Sequence, residues 1–275
     1  MKPRAQSVHK TAFKRGSRTY FNSSLFFPRS VRDDVFVLYG FVRTADNYVD
    51  AVPQDAAGFR SFRERYDRAV RGQKSGDIIV DSFVELMRRT SIERVWVDAF
   101  LDAMAADLKK NRYATIDETI AYMYGSAEVV GLFMCAILGL PERLHDQAKL
   151  LGRSMQIINF VRDIAEDNEF DRTYLPIDET RLPDLNEASA SADPDEYRHF
   201  ITRQLARYAE WRRSANGAFS AIPRRYRVPI KTAAEMYDWT AEKIRRDPFV
   251  VYRKKVKPSR LRIFSRVLAN TLTRR

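Results

Sequence analysis

Two pairs of aspartates share a four-residue spacing, Asp46 with Asp50 and Asp163 with Asp167. In an α-helix, residues four apart lie one above the other with Cβ atoms about 6 Å apart, so each pair presents two carboxylates on one face. Such a ledge of hard oxygens suits a divalent cation such as Mg²⁺. Two ledges facing each other would hold a metal-bound diphosphate. An arginine precedes each pair, Arg43 three residues before Asp46 and Arg162 immediately before Asp163.

A lone D-x-x-x-D on a helix is usually a solvated face, but here the setting is apolar. The first pair closes the run Val35-Phe36-Val37-Leu38-Tyr39-Gly40-Phe41-Val42, and the second follows Ile157-Ile158-Asn159-Phe160-Val161. Carboxylates in such surroundings are costly unless paired or metal-bound. Their phase agrees. Tyr39, Arg43, Asp46 and Asp50 fall on one helical stripe, and Gln156, Asn159, Asp163 and Asp167 fall on another. Two polar stripes in apolar helices point to an interior polar cavity. A buried salt-bridge network is the alternative these residues leave open.

The elements that must carry these stripes are helical. Apolar residues recur at helical period, and strand alternation is nearly absent. Helices are expected at about 31–50, 55–71, 77–90, 92–111, 116–139, 141–168, 195–221, 227–246 and 258–272. Pro53, the run from Arg71 to Gly76, Gly139-Leu140-Pro141 and Pro223 punctuate them. The Asp/Ala/Ser-rich stretch from Pro176 to Pro194 directly follows the second pair, as either a flap over a cavity mouth or a passive loop. With no fixed-period repeat and no linker, the expectation is one all-α domain over 1–275, a helical bundle enclosing a central cavity.

Composition bounds the function. The net charge of +12 calls for an anionic partner: nucleic acid, lipid headgroups or a phosphorylated substrate. From Lys243 to Arg275 there are twelve Lys/Arg against Asp247 alone, including a basic amphipathic helix at about 258–275. That helix suits either peripheral contact with an anionic membrane or packing on the domain with a solvated basic face. Nucleic acid is not expected, because no binding motif or aromatic platform accompanies the charge. The single cysteine, Cys135, excludes an intrachain disulfide and a cysteine metal cluster, and reads as a core residue. Its apolar stretch of about 12 residues is short for a membrane span. Met1-Lys2-Pro3-Arg4 has no apolar run after it, so a signal peptide is not expected. The expected compartment is the cytoplasm, with the inner face of the membrane open to the basic tail. His9, His145 and His199 have no metal-site spacing.

The residues from about 15 to 257 resemble the squalene/phytoene synthase family of head-to-head prenyl transferases, and are most similar to its prokaryotic phytoene synthases. Gln156 to Asp167 followed by Arg172-Thr173-Tyr174-Leu175-Pro176 is similar to the family pattern Q-x-x-N-x-x-R-D-x-x-E-D…R-x-Y-L-P. Tyr39 to Asp50 resembles Y-x-x-x-R-x-x-D-D-x-x-D, with Asn47 at the middle aspartate. Ser17-Arg18-Thr19-Tyr20 resembles the diphosphate-contacting S-K-S-F. Asp107, Tyr113 and the block from Tyr122 to Gly131 resemble the central region, with Glu128 where the family has glycine. Phe249 to Val256 resembles the C-terminal basic motif, with Lys254 at its arginine.

The resemblance implies a class I isoprenoid synthase-like bundle that couples two prenyl diphosphates. It implies Mg²⁺, or Mn²⁺, held by Asp46, Asp50, Asn159, Asp163 and Asp167, with Glu166 beside them. Ser17, Arg18, Thr19, Arg43, Gln156, Asn159, Arg162 and Lys254 would bind or orient the diphosphates. Tyr39, Tyr122 and Phe21 would face the allylic cation. Two geranylgeranyl diphosphates giving phytoene through a cyclopropylcarbinyl diphosphate is the expected reaction, within carotenoid biosynthesis. A squalene or dehydrosqualene synthase using farnesyl diphosphate is the near alternative, with NADPH required only for squalene. A catalytically silent membrane scaffold is the distant one, and the four retained aspartates argue against it.

Overall fold

The computed structural model describes residues 24–272, and several of its helices begin where the sequence supplies a cap. Asp55 accepts the Gly58 amide at 2.8 Å and opens α2 (Ala56–Val70). Asp77 accepts the Ile79 amide at 2.9 Å and opens α3 (Ile78–Thr90). Asp193 with Pro194 in the first turn opens α10 (Pro194–Ala215). The remaining helices are α1 (Arg29–Val49), α4 (Arg94–Ala106), α5 (Ile116–Met123), α6 (Val129–Leu138), α7 (His145–Arg162), α8 (Ile164–Glu169), α9 (Glu187–Ala192), α11 (Arg224–Arg246), α12 (Val250–Arg253) and α13 (Arg260–Leu272). Among the described residues extended pairing is limited to one isolated bridge, Arg112 with Thr173.

Three departures from the expected helices matter for the site. The helix expected over 141–168 breaks at Asp163, which ends α7 and begins α8 with φ −100° and ψ 11°. The helix expected over 116–139 contains a π-helical turn, Tyr124–Glu128, between α5 and α6. The helix expected over 92–111 ends at Ala106 and leaves Asp107 as its cap. The path from Ile116 to Leu138 is 23 residues long and, by length and composition, apolar enough to cross a membrane, longer than the short stretch around Cys135 suggested. More than half of it is buried between α4 and α7, as in the core helix of a bundle.

α7 is the central post. It packs against α6, the π turn, α10 and α11, while α1 packs against α2, α3, α4 and α6. Phe41 of α1 stacks on Phe83 of α3 with centroids 3.9 Å apart, both fully buried. Burial of such side chains contributes about 1.5–3 kcal/mol each. Between α1, α6, α7 and α11 lies a cavity of about 310 Å³, walled by Leu38, Val130, Met134, Leu151, Met155 and Ile230 among others. Cys135 lines it, and burial pushes its thiol up to about 11, so it stays protonated.

Close approach of α6 and the π turn to α7 depends on two glycines. A Cβ on Gly152 would stand 2.5 Å from the Ala127 carbonyl oxygen, and one on Gly131 would stand 2.4 Å from the Ala148 carbonyl oxygen. Both obstacles are backbone atoms in helices and cannot swing aside. Gly152→Ala is therefore expected to destabilise by about 1–3 kcal/mol, the usual cost of overpacking. A melting temperature equal to the parent's in a thermal denaturation would refute this contact.

Candidate active site

The polar end of the cavity is built from α1 and α7. Tyr39 reaches it from α1, and Gln156 and Asn159 reach it from α7. One to two turns further along each helix stand Arg43 with Asp46, and Arg162 with Asp163. The two stripes read from the sequence therefore face each other. Asn159 donates from Nδ2 to Gln156 Oε1 at 3.1 Å, while its own Oδ1 is buried and has no hydrogen-bond partner.

The carboxylates feel one another across the gap. Asp46 is raised to about 7, first by burial and then by Asp50, with Arg43 opposing. Its side chain keeps a third of its surface open, so the burial is enclosure beside a cavity, not complete occlusion. Asp167 is raised to about 8 by burial, then by Asp163, with Asp50 and Glu166 adding to the rise and Arg172 opposing it. Asp50 caps the C-terminal end of α1 and Asp167 lies on α8, so this mutual effect joins the two pairs into one acidic site. Arg43 pairs with Asp46, and Arg162 with Asp163.

Two residues outside the predicted set complete the site. Arg172 is buried, donates from Nη1 to Asp50 Oδ1 at 2.9 Å, and donates from Nη2 to the Val49 carbonyl. The hydrogen bonds of Tyr113 N to Thr173 O, 2.9 Å, and of Thr173 N to Asn111 O, 2.7 Å, hold its segment in place. Asp107 is buried and accepts from Tyr122 Oη at 2.6 Å and Tyr174 Oη at 3.2 Å, and burial lifts it to about 6. Both residues lie in stretches with a recognisable pattern, but only their contacts reveal what they do.

Other predicted residues are placed differently. Tyr122 is not part of the cavity wall; it sits in a buried stack with Tyr113, Tyr174 and Phe160, its hydroxyl committed to Asp107. Lys254 is exposed and pairs with no carboxylate among the described residues. Its neighbour Lys255 makes that contact, with Nζ 3.6 Å from Asp163 Oδ1 and paired with Glu166. The extended backbone at Lys254, φ −165°, points successive side chains to opposite sides. Ser17, Arg18, Thr19, Phe21 and His9 lie outside the described residues. His145 packs edge-on against Trp96 and His199 is exposed.

The departures at Asn47 and Glu128 are accommodated. Asn47 is exposed, while Asp46 and Asp50 on either side are the ones that meet Arg43. Glu128 turns away from the cavity and accepts from Arg153 Nε at 2.6 Å; the Arg153 guanidinium lies 5.3 Å from the Trp211 ring. The stretch from Pro176 to Pro194 is anchored beside the site, with Leu182 and Leu185 buried and Asn168 Nδ2 donating to Leu185 O at 2.8 Å. Tyr252 Oη donates to the same carbonyl at 2.7 Å.

The donor set fits a divalent cation. It offers aspartate oxygens that repel each other and an orphaned amide oxygen on Asn159. No three His, Cys, Asp or Glu side chains among the described residues converge closely enough to cage an ion unaided. That is the arrangement Mg²⁺ takes when one or two carboxylates are completed by substrate phosphates.

Comparison with known proteins identifies the family and the fold. Residues 13–262 match the family model described as squalene/phytoene synthase. A 15-cis-phytoene synthase of Paracoccus sp. is 26% identical, covering 90% of this chain and 85% of the relative. One from Enterobacter agglomerans is 29% identical, covering 81% of this chain and 80% of the relative. A dehydrosqualene synthase structure superposes with TM-score 0.87 at 20% identity, covering 98% of this chain and 95% of its own. The squalene synthase of Alicyclobacillus acidocaldarius superposes with TM-score 0.79, also at 20% identity, over 89% and 94%. The fold is thus the all-α isoprenoid synthase bundle.

The raised carboxylates have a measurable consequence. An acid whose folded pKa lies above its unfolded value binds more protons when folded, so stability falls as pH rises through that window. For Asp46 and Asp167 the window runs from about 4 to about 8. Without metal, Asp167→Asn is expected to melt several degrees above the parent at about pH 8.5 and level with it near pH 4. A variant melting no higher than the parent at the alkaline pH, by scanning calorimetry, would refute the crowding of charge.

Proposed function

Because the chain belongs to the squalene/phytoene synthase family and is a prenyl transferase, we propose that it joins two geranylgeranyl diphosphates head to head to give phytoene. One observation carries the reading: two aspartate pairs lie just beyond Tyr39, Gln156 and Asn159, which form the polar end of an otherwise apolar cavity. The polar end suits diphosphate and the apolar walls suit prenyl chains. The curated relatives named phytoene synthases, matched over most of the chain, support the longer substrate.

In this reading Asp46, Asp50, Asp163, Asp167 and the Asn159 amide oxygen would hold Mg²⁺. The ion, when bound, neutralises charge on the departing diphosphate. Arg43, Arg162 and Lys255 then turn from their carboxylates to diphosphate oxygens, adding fixed positive charge where negative charge develops. Gln156 orients Asn159. Tyr39 presents its ring to the allylic cation at the mouth, and its hydroxyl is held neutral by burial. Leu38, Met134, Met155 and their neighbours keep water from that cation.

The first cation is attacked by the double bond of the second prenyl diphosphate, and proton loss closes a cyclopropylcarbinyl diphosphate. Departure of the second diphosphate, rearrangement and a second proton loss yield the C40 hydrocarbon and two diphosphates. No hydride is needed. Released diphosphate takes the protons, since no histidine among the described residues lines the cavity.

Purified protein incubated with Mg²⁺ and either geranylgeranyl or farnesyl diphosphate, with and without NADPH, tests the proposal. Phytoene from the longer substrate without NADPH is the expected product; squalene formed only with NADPH would overturn it. Loss of a residue that only supports a metal ligand already costs about 10–100-fold, so removing a ligand carboxylate in Asp46→Asn or Asp163→Asn is expected to lower turnover by about 100-fold or more. The two lysines separate the geometric reading from the sequence pattern. Lys255→Met is expected to raise KM for the diphosphate and Lys254→Met to leave it unchanged, and the reverse result would restore Lys254 to the site.

A further inference from the structure

α13 has two apolar faces and only one of them is covered. Ile263, Val267 and Asn270 are buried against the body of the protein, and Asn270 Nδ2 donates to Thr232 Oγ1 at 3.1 Å and Glu235 Oε2 at 2.6 Å. Arg266 Nη2 pairs with Glu235 Oε1 at 2.8 Å, so α13 is fastened to α11 along this side. At about 100° per residue the opposite side carries Leu261, Phe264, Leu268 and Leu272. Leu261 is 83% exposed, Leu268 62% and Leu272 72%. Four of the nine exposed large hydrophobic side chains among the described residues lie on this one helix, a concentration unlike scattered surface leucines.

Charge identifies what covers the stripe. Arg260 and Arg262 flank Leu261, one on each border of the stripe, where long side chains reach headgroups while leucines enter the acyl region. With Lys254 and Lys257 they pair with no carboxylate among the described residues. No acidic residue follows Asp247 anywhere in the chain. A second copy docking the same face would set these arginines against their own kind. The first 23 residues of the chain carry six Lys/Arg and no Asp or Glu, so their composition offers this basic face no charge complement. We propose that the outward face of α13 docks the protein on an anionic lipid bilayer, leucines inserted and basic borders on the headgroups.

The docking has a consequence that rests on the phytoene reading. α11 holds α13 through Thr232 and Glu235 and lines the cavity through Ile230 and Ala233. Beside it Phe26 meets Phe264 edge-on at 5.7 Å while Phe27 lines the cavity. A single layer of protein thus separates the cavity from the docking helix, which brings an oily product within reach of the bilayer.

Flotation of the full chain with vesicles of phosphatidylcholine, with or without phosphatidylglycerol, tests the docking with no substrate present. A wrong product assignment would therefore leave the result standing. Binding is expected to the anionic vesicles, to weaken with salt, and to fall by about 10-fold or more in Leu261→Ser/Leu268→Ser. That variant should keep the parent's melting temperature and its turnover of detergent-dispersed substrate. Equal binding by parent and variant, no preference for anionic vesicles, or no binding at all would overturn the proposal. So would sedimentation showing a parent dimer that the double substitution dissociates, since the stripe would then belong to a second copy.

Discussion

Like charge concentrated at one end of an apolar cavity is the constraint on which the rest of this structure depends. Asp50 and Asp107 cap the ends of α1 and α4, Asp167 lies on α8, and each interacts with the buried guanidinium of Arg172. Arg172 is itself held by the Val49 carbonyl and by the short bridge between Arg112 and Thr173. Gln54 ties the same region, donating from Nε2 to the carbonyls of Val49 at 2.9 Å and Asp107 at 2.8 Å. Carboxylates brought this close oppose their own ionisation. Burial first and neighbouring carboxylates second hold Asp46 and Asp167 above the usual carboxylate range.

The apolar half is set by how closely helices approach. Gly131 and Gly152 allow α6, the π turn and α7 to meet backbone to backbone, and Phe41 stacked on Phe83 fixes α1 on its far side. The π turn carries Ser126 and Ala127 to the cavity wall and sends Glu128 the other way, to Arg153. The Glu128 carboxylate thus costs the cavity nothing, because its partner Arg153 lies on α7 and the pair is shielded by Trp211.

Much of this was legible in the residues. The phase of Tyr39, Arg43, Asp46 and Asp50 placed them on one face, and the structure turns that face toward Gln156, Asn159 and Asp163. The break at Asp163 was not legible, since the run from Gln156 to Asp167 continues at helical period straight through it. Nor was the exchange between Lys254 and Lys255. Both follow α12 in extended backbone, where a one-residue step reverses the side chain's direction. Tyr122 was legible as an aromatic near the site, but its hydroxyl is committed to Asp107, a carboxylate 15 residues earlier whose burial no local pattern announces. On α13, Val267 and Leu268 look equivalent in a periodic stripe, yet one is buried and the other is in solvent.

By itself, then, the sequence determined the helices, the four-residue spacing that makes each aspartate pair a ledge, and the basic surplus at its end. These follow from backbone hydrogen bonding and helical phase, which are properties of neighbouring residues. Tertiary structure alone decided that Asp50 feels Asp167, that Arg172 and Asp107 complete the site, and which lysine reaches Asp163. Those relations depend on distances between helices far apart in the chain. Such distances are set by the packing of the whole core, and no segment encodes them alone.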